Sequence, residues 1–242
     1  MGERIWMPQW LPPSGSGPGP AAGTGAVFSN SLAVTKELGG DTGESPFMQR
    51  KPWPAALQLD VTIRHPALAL DWWSIAFPVR VRALRAAWSG ASDGVEYRPV
   101  DASRWCAEVR AMHYRLMHVM AEESVIDPAQ SDYDTAPQLP WLPDGFPLYV
   151  RSLAVREDAA PKHGVFRDAF ARNHMFCTDA MALSALKARC IGVRFIDPAA
   201  QHLLQPTRYR TLEGVAEICD AGILRGEGER LVQRIPIHQE RR

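Results

Sequence analysis

The amino-acid sequence predicts an α+β fold, a mixed or antiparallel sheet flanked by short helices. Two helix–strand units carry this reading. In the first, Pro78 opens a stretch with apolar residues at helical spacing up to Trp88. A Ser/Gly/Asp turn follows, and Gly94-Val95-Glu96-Tyr97-Arg98-Pro99-Val100 then alternates as a strand does. In the second, Thr178 or Asp179 caps a helix over 180–189, which runs into Gly192-Val193-Arg194-Phe195-Ile196-Asp197-Pro198. Each unit joins a short amphipathic helix to a Gly-Val-charged-aromatic strand closed by proline. They read as two related halves, or as two occurrences of a common local pattern.

The remaining elements follow in chain order. Residues 8–25 are Gly, Pro and Ser-rich, a composition that holds neither a helix nor a ladder. Residues 1–54 are therefore set apart as a partly irregular arm, with Trp6 and Trp10 as its anchors on the body. Ordered structure is expected from about Ala55, in a domain spanning 55–224. Residues 105–123 contain helix formers and neither Gly nor Pro, so propensity favours a helix. Tyr114, Leu116, His118 and Met120 alternating with Met117 and Val119 fit a strand buried on both faces nearly as well, and periodicity leaves both open. Residues 212–219 read as a further helix, and 225–242 as a charged tail.

Composition narrows the function. The chain has 242 residues, with 27 Lys and Arg balancing 27 Asp and Glu. A pI near 7.1 argues against a nucleic-acid partner or a polybasic membrane contact. The opening residues meet Pro8, Pro12 and Pro13 before an apolar signal core forms, and no run is long enough to span a membrane. Cys106, Cys177, Cys190 and Cys219 show no paired spacing, which suits reduced thiols in a cytoplasmic protein. His118 and Glu122 stand four apart but lack the second histidine of a zinc hydrolase motif. His174 and Cys177 are close in sequence, without a nucleophile elbow, a phosphate loop or a dinucleotide fingerprint anywhere. Neither a catalytic site nor a cofactor is expected.

Charge distribution is more informative than its total. Residues 116–150 contain no Lys or Arg and six acids, Glu122, Glu123, Asp127, Asp132, Asp134 and Asp144, so they carry −6 against +6 elsewhere. Residues 127–146 are also rich in proline and aromatics and read as a long loop, a kind of segment that is often functional. The six acids supply a steering field, and Tyr133 and Trp141 supply aromatic anchors for a protein partner. The plainer reading is a solvated loop whose aromatics dock on the body.

Gly94-Val95-Glu96-Tyr97-Arg98-Pro99-Val100, then Tyr114-Arg115-Leu116-Met117-His118-Val119 leading to Val125-Ile126-Asp127 and Ser131, form one block. Val150-Arg151-Ser152-Leu153-Ala154-Val155, Val165-Phe166-Arg167, the helix 179–189 and the strand 192–198 form a second. Together, over about residues 55–200, they resemble the eleventh numbered family of α+β immunity proteins from bacterial polymorphic toxin systems. The resemblance implies a strand rather than a helix at 114–120. It also implies a cytoplasmic, non-catalytic binder of a cognate toxin or secreted effector, with nucleases one toxin class that acidic immunity surfaces face. No catalytic residue is carried over. The Gly/Pro-rich start and the Pro/Trp insertion at 135–147 depart from the pattern. Two other readings stay open: an adaptor for a secreted effector, and an enzyme or small-molecule binder assembled from His118, Asp127 and Cys177.

Overall fold

The structure is a computed structural model that describes residues 3–10, 26–28, 50, 52–56, 61–63, 72–74, 78–80, 82–89, 93–99, 107–111, 113–135, 145, 147–188, 190, 193–200, 207–210 and 217–220. The chain runs β1 (Ile5–Trp10), β2 (Ala26–Phe28), β3 (Val61–Ile63), β4 (Trp72–Ser74), β5 (Pro78–Arg80), α1 (Arg82–Ala87), β6 (Val95–Pro99) and α2 (Ala107–Ala111). It continues through β7 (Arg115–Val119), β8 (Glu122–Glu123), β9 (Ile126–Thr135), β10 (Pro147–Val155), β11 (Val165–Asp168) and β12 (Met175–Thr178). The last elements are α3 (Asp179–Lys187), β13 (Val193–Ile196), a 3-10 turn (Pro198–Ala200), β14 (Thr207–Arg210) and β15 (Glu217–Asp220). Strands dominate and the helices are short. The fold is α+β.

The main sheet has the order β15-β14-β13-β1-β12-β11-β8, antiparallel except where β11 pairs with β8. A four-stranded antiparallel sheet has the order β4-β5-β7-β6, and β2–β3 and β9–β10 are separate ribbons. Because successive strand residues face opposite sides, the main sheet feeds two cores. Trp6, Val165, Cys177 and Phe195 face one, where they meet Leu84 and Trp88, Ala182, Ala185 and Leu186 of α3, and Met117 and Val119 of β7. Ile5, Met7, Phe166 and Phe176 face the other, against Ile126 and Leu153 of the β9–β10 ribbon. Both predicted helix–strand units are present, as α1–β6 and α3–β13, and Trp88 Nε1 donates to the Met181 carbonyl at 2.9 Å where their helices meet.

Several expectations change. Ile5–Trp10, assigned to the arm, is a strand between β12 and β13, so ordered structure begins far before Ala55. Trp6 is fully buried, its Nε1 donating to Asp179 Oδ1 at 2.7 Å, so the expected anchor sits inside the sheet. Pro78–Arg80, expected within a helix, is β5, held between β4 and β7. Among the described residues of 105–123 the helix is Ala107–Ala111. His113, at φ 54°, turns the chain out of it, and β7 follows as the resemblance implied. Four consecutive buried residues, Leu116 to Val119, gain more from a strand with two covered faces than helix propensity offers. The end of the helix expected at 212–219 is instead β15, which pairs with β14, and residues 212–216 lie outside the described residues. The tail 225–242 lies outside the described residues.

Candidate partner-binding surface

The segment read as a loop is largely a ribbon. β9 and β10 pair from Ile126 opposite Val155 to Thr135 opposite Pro147, so 127–135 is strand, and residues 136–144 of the expected loop lie outside the described residues. The ribbon forms because Ile126 and Leu153, with Val150 and Val155, bury one side against the main sheet. Farther out, Tyr133 rests edge-on against Phe170, with ring centroids 4.8 Å apart. Alternation then sends Asp132 and Asp134 outward, at 57% and 59% side-chain exposure.

Arg151 completes this outer face. Pairing shifts between Val150 and Ser152, leaving Arg151 in a bulge that aims its guanidinium between the two acids. Its Nε donates to Asp132 Oδ1 at 2.8 Å, Nη1 to Asp134 Oδ2 at 2.7 Å and Nη2 to Asp134 Oδ1 at 3.1 Å. Hydrogen bonds from Arg151 hold both carboxyls below their ordinary range, and the same bonds raise the guanidinium's own value. One cation between two anions leaves net −1.

The other predicted residues behave differently. Glu122 pairs with Arg50. Glu123 Oε1 accepts the backbone N–H groups of Lys162 at 2.9 Å and His163 at 3.1 Å, and the His163 ring as well, so its carboxylate pins the 162–164 bend. Asp127 accepts from Ala129 N and Gln130 Nε2, both at 2.9 Å, closing a local turn. Trp141 and Asp144 lie outside the described residues. A stretch free of bases in sequence is therefore not a surface free of bases. Arg50, Arg151 and His163 come in from elsewhere in the chain.

Beneath the ribbon is a polar support that the sequence reading missed. Asp168 is 1% exposed, and its Oδ2 accepts the N–H groups of Val125 at 2.8 Å and Ile126 at 3.0 Å. Its Oδ1 accepts those of Phe170 at 2.8 Å and Ala171 at 3.1 Å. One carboxylate thus joins the root of β9 to the turn that carries Phe170. Next to it, Arg167 donates to the Val119 and Arg172 carbonyls, and burial lowers its pKa to about 10. The only local signal was the Arg167-Asp168 pair ending a strand of apolar residues.

The three groups of the enzyme reading are not assembled into a site. Cys177 lies in the helix-side core with Met117 and Val119. His118, between those two in β7, points to the opposite face and stacks on Trp53 at 4.3 Å. Asp127 is engaged in its own turn on the ribbon. Among the described residues, no three His, Cys, Asp or Glu side chains are grouped to hold a metal ion, and no helix is long and apolar enough to cross a membrane.

A family model described as "Immunity protein family (Imm11)" matches residues 64–200, more than half of the chain. The chain belongs to the Imm11 immunity protein family. Membership gives it a toxin-neutralising immunity role in general terms and points to a non-catalytic one. The Imm11 match takes in every element from β4 to the 3-10 turn, including the whole ribbon, Arg151 and Asp168. β1 lies outside the matched span and still occupies the middle of the main sheet. No curated protein matches the chain.

Proposed function

We propose that this Imm11 protein binds a cognate toxin in the cytoplasm and neutralises it by contact alone, using the outer face of the β9–β10 ribbon. The observation that carries the reading is the pairing of Asp132 and Asp134, both more than half exposed, on a ribbon whose other face is fixed to the core. Such a face fits a basic partner surface, as a nuclease toxin has around its substrate site. Asp132 and Asp134 supply the outward charge. Tyr133 holds the strand in place, while Trp141 and Asp144, on the connection between the strands, are the proposed anchor and the further charge. Glu122, Glu123 and Asp127 support the surface through their internal contacts.

The test has two parts. Cells expressing the cognate toxin, to be sought first among the neighbouring genes, should survive when this chain is co-expressed, which an adaptor would not achieve. Charge steering acts mainly on association, so replacing Asp132 and Asp134 by Lys should slow association about tenfold at low ionic strength, with a smaller effect at high salt. Unchanged association at low salt would remove the ribbon from the interface. An enzyme reading would require toxin inactivation to persist after the two proteins are separated.

A further inference from the structure

We propose that Arg151 is a positioning residue of the toxin-binding surface: it fixes the carboxylates of Asp132 and Asp134 as one preset acceptor for a cationic side chain of the toxin. This rests on the reading of the ribbon as that surface. The backbone supplies the first reason. Asp132 pairs with Ser152 and Tyr133 with Val150, so the bulge leaves Arg151 facing the gap between the two acids. A side chain in regular register would lie beside one of them only.

The donor pattern supplies the second. All three guanidinium nitrogens are engaged, Nε toward Asp132, Nη1 toward Asp134 and Nη2 between the two, 2.7 Å from Asp132 Oδ1 and 3.1 Å from Asp134 Oδ1, a spread that suits the planar fork of arginine and that a lysine ammonium cannot reproduce. Both Arg151 contacts to Asp132 use Oδ1, so Oδ2 of this exposed side chain takes no donor from the described residues. That oxygen is the open acceptor. Between the acids, Tyr133 is held against Phe170, so the strand is fixed from below while Arg151 fixes the carboxylates from above.

Charge gives the opposing expectation. A basic toxin steered by field alone would associate faster without Arg151, because the face would change from net −1 to net −2. Positioning predicts a cost in dissociation instead, because both acids would have to be ordered on binding. The two accounts differ in sign.

The probe is the toxin domain against which this chain protects cells on co-expression, made catalytically inactive, with rates measured for the full-length protein. Asp132→Asn with Asp134→Asn should slow association. Arg151→Gln should associate as fast as wild type or faster, yet dissociate about tenfold faster. Arg151→Lys keeps the charge and should associate normally while still dissociating several-fold faster. Thermal midpoints of both Arg151 variants should stay close to wild type, because exposed ion pairs add little stability. If Arg151→Lys melts earlier, a double-mutant cycle with Asp134→Asn reads the coupling in dissociation directly, and zero coupling overturns the proposal. Wild-type dissociation in Arg151→Lys overturns it while leaving the surface intact. A wild-type complex indifferent to the two Asn substitutions overturns the surface and Arg151's role with it.

Discussion

Replacing Asp168 by Asn tests how the ribbon is held to the body. The carboxylate is buried and accepts four backbone N–H groups, two on each oxygen. Asparagine keeps one oxygen and turns an NH2 donor toward two other donors, either Val125 and Ile126 or Phe170 and Ala171. Two charge-assisted bonds are lost at about 1.5–3 kcal/mol each, and two buried N–H groups are left unsatisfied. Removing a buried charge offsets part of this loss, which leaves a net cost of about 3–5 kcal/mol. Urea unfolding followed by tryptophan fluorescence should show the midpoint falling by roughly 1–2 M, given the slope of about 2.5–3 kcal/mol/M at the upper end of the range that a chain of this size reaches. Hydrogen exchange should accelerate at the Val125 and Ile126 amides before the rest of the fold. A midpoint shift below about 0.3 M, or protection at those two amides equal to wild type, would refute the assignment of Asp168 as the fastening point.

Other outcomes are equally specific. Gly94 has φ 82°, and a Cβ there would stand 2.5 Å from Ala121 Cβ, so Gly94→Ala should cost about 2 kcal/mol or more in chemical denaturation. His174 has its pKa lowered to about 4, first by burial and then by the Arg167 charge, so the fold favours the neutral ring. The unfolded chain binds the proton more readily, and stability should therefore decline as pH falls from about 6.5 toward 4, on the order of 1–2 kcal/mol by pH 5 for a half-buried imidazole. His174→Gln should flatten that part of the stability–pH curve relative to wild type. Because Arg151 lowers the carboxyls of Asp132 and Asp134, their charge persists above that depressed range and is lost only as pH falls through it. Toxin association should thus hold steady from pH 7 to about 4, and an earlier decline at constant salt would contradict the Arg151 geometry.

Alternation and local chemistry made much of this protein legible. Gly94 to Pro99 and Val193 to Ile196 read as strands, and the helix after Thr178 read as a helix, because near neighbours decide those elements. The stretch without Lys and Arg over 116–150 was plain in the sequence, and within it Asp132 and Asp134 project to solvent. The sequence by itself thus determined the α+β class, the family blocks and the location of the acidic segment. Partners remote in sequence decided the rest. Ile5–Trp10 became a strand because β12 and β13 leave a place for it more than 160 residues away. β7 chose strand over helix because both of its faces are covered, and 127–135 became a ribbon because Leu153 and Ile126 share a core with Phe166. Arg151 stands one residue beyond the base-free stretch, and only cross-strand register brings it onto Asp132 and Asp134. Local propensities amount to tenths of a kcal/mol per residue, whereas burying a large side chain contributes about 1.5–3 kcal/mol, so tertiary contact prevails where the two disagree.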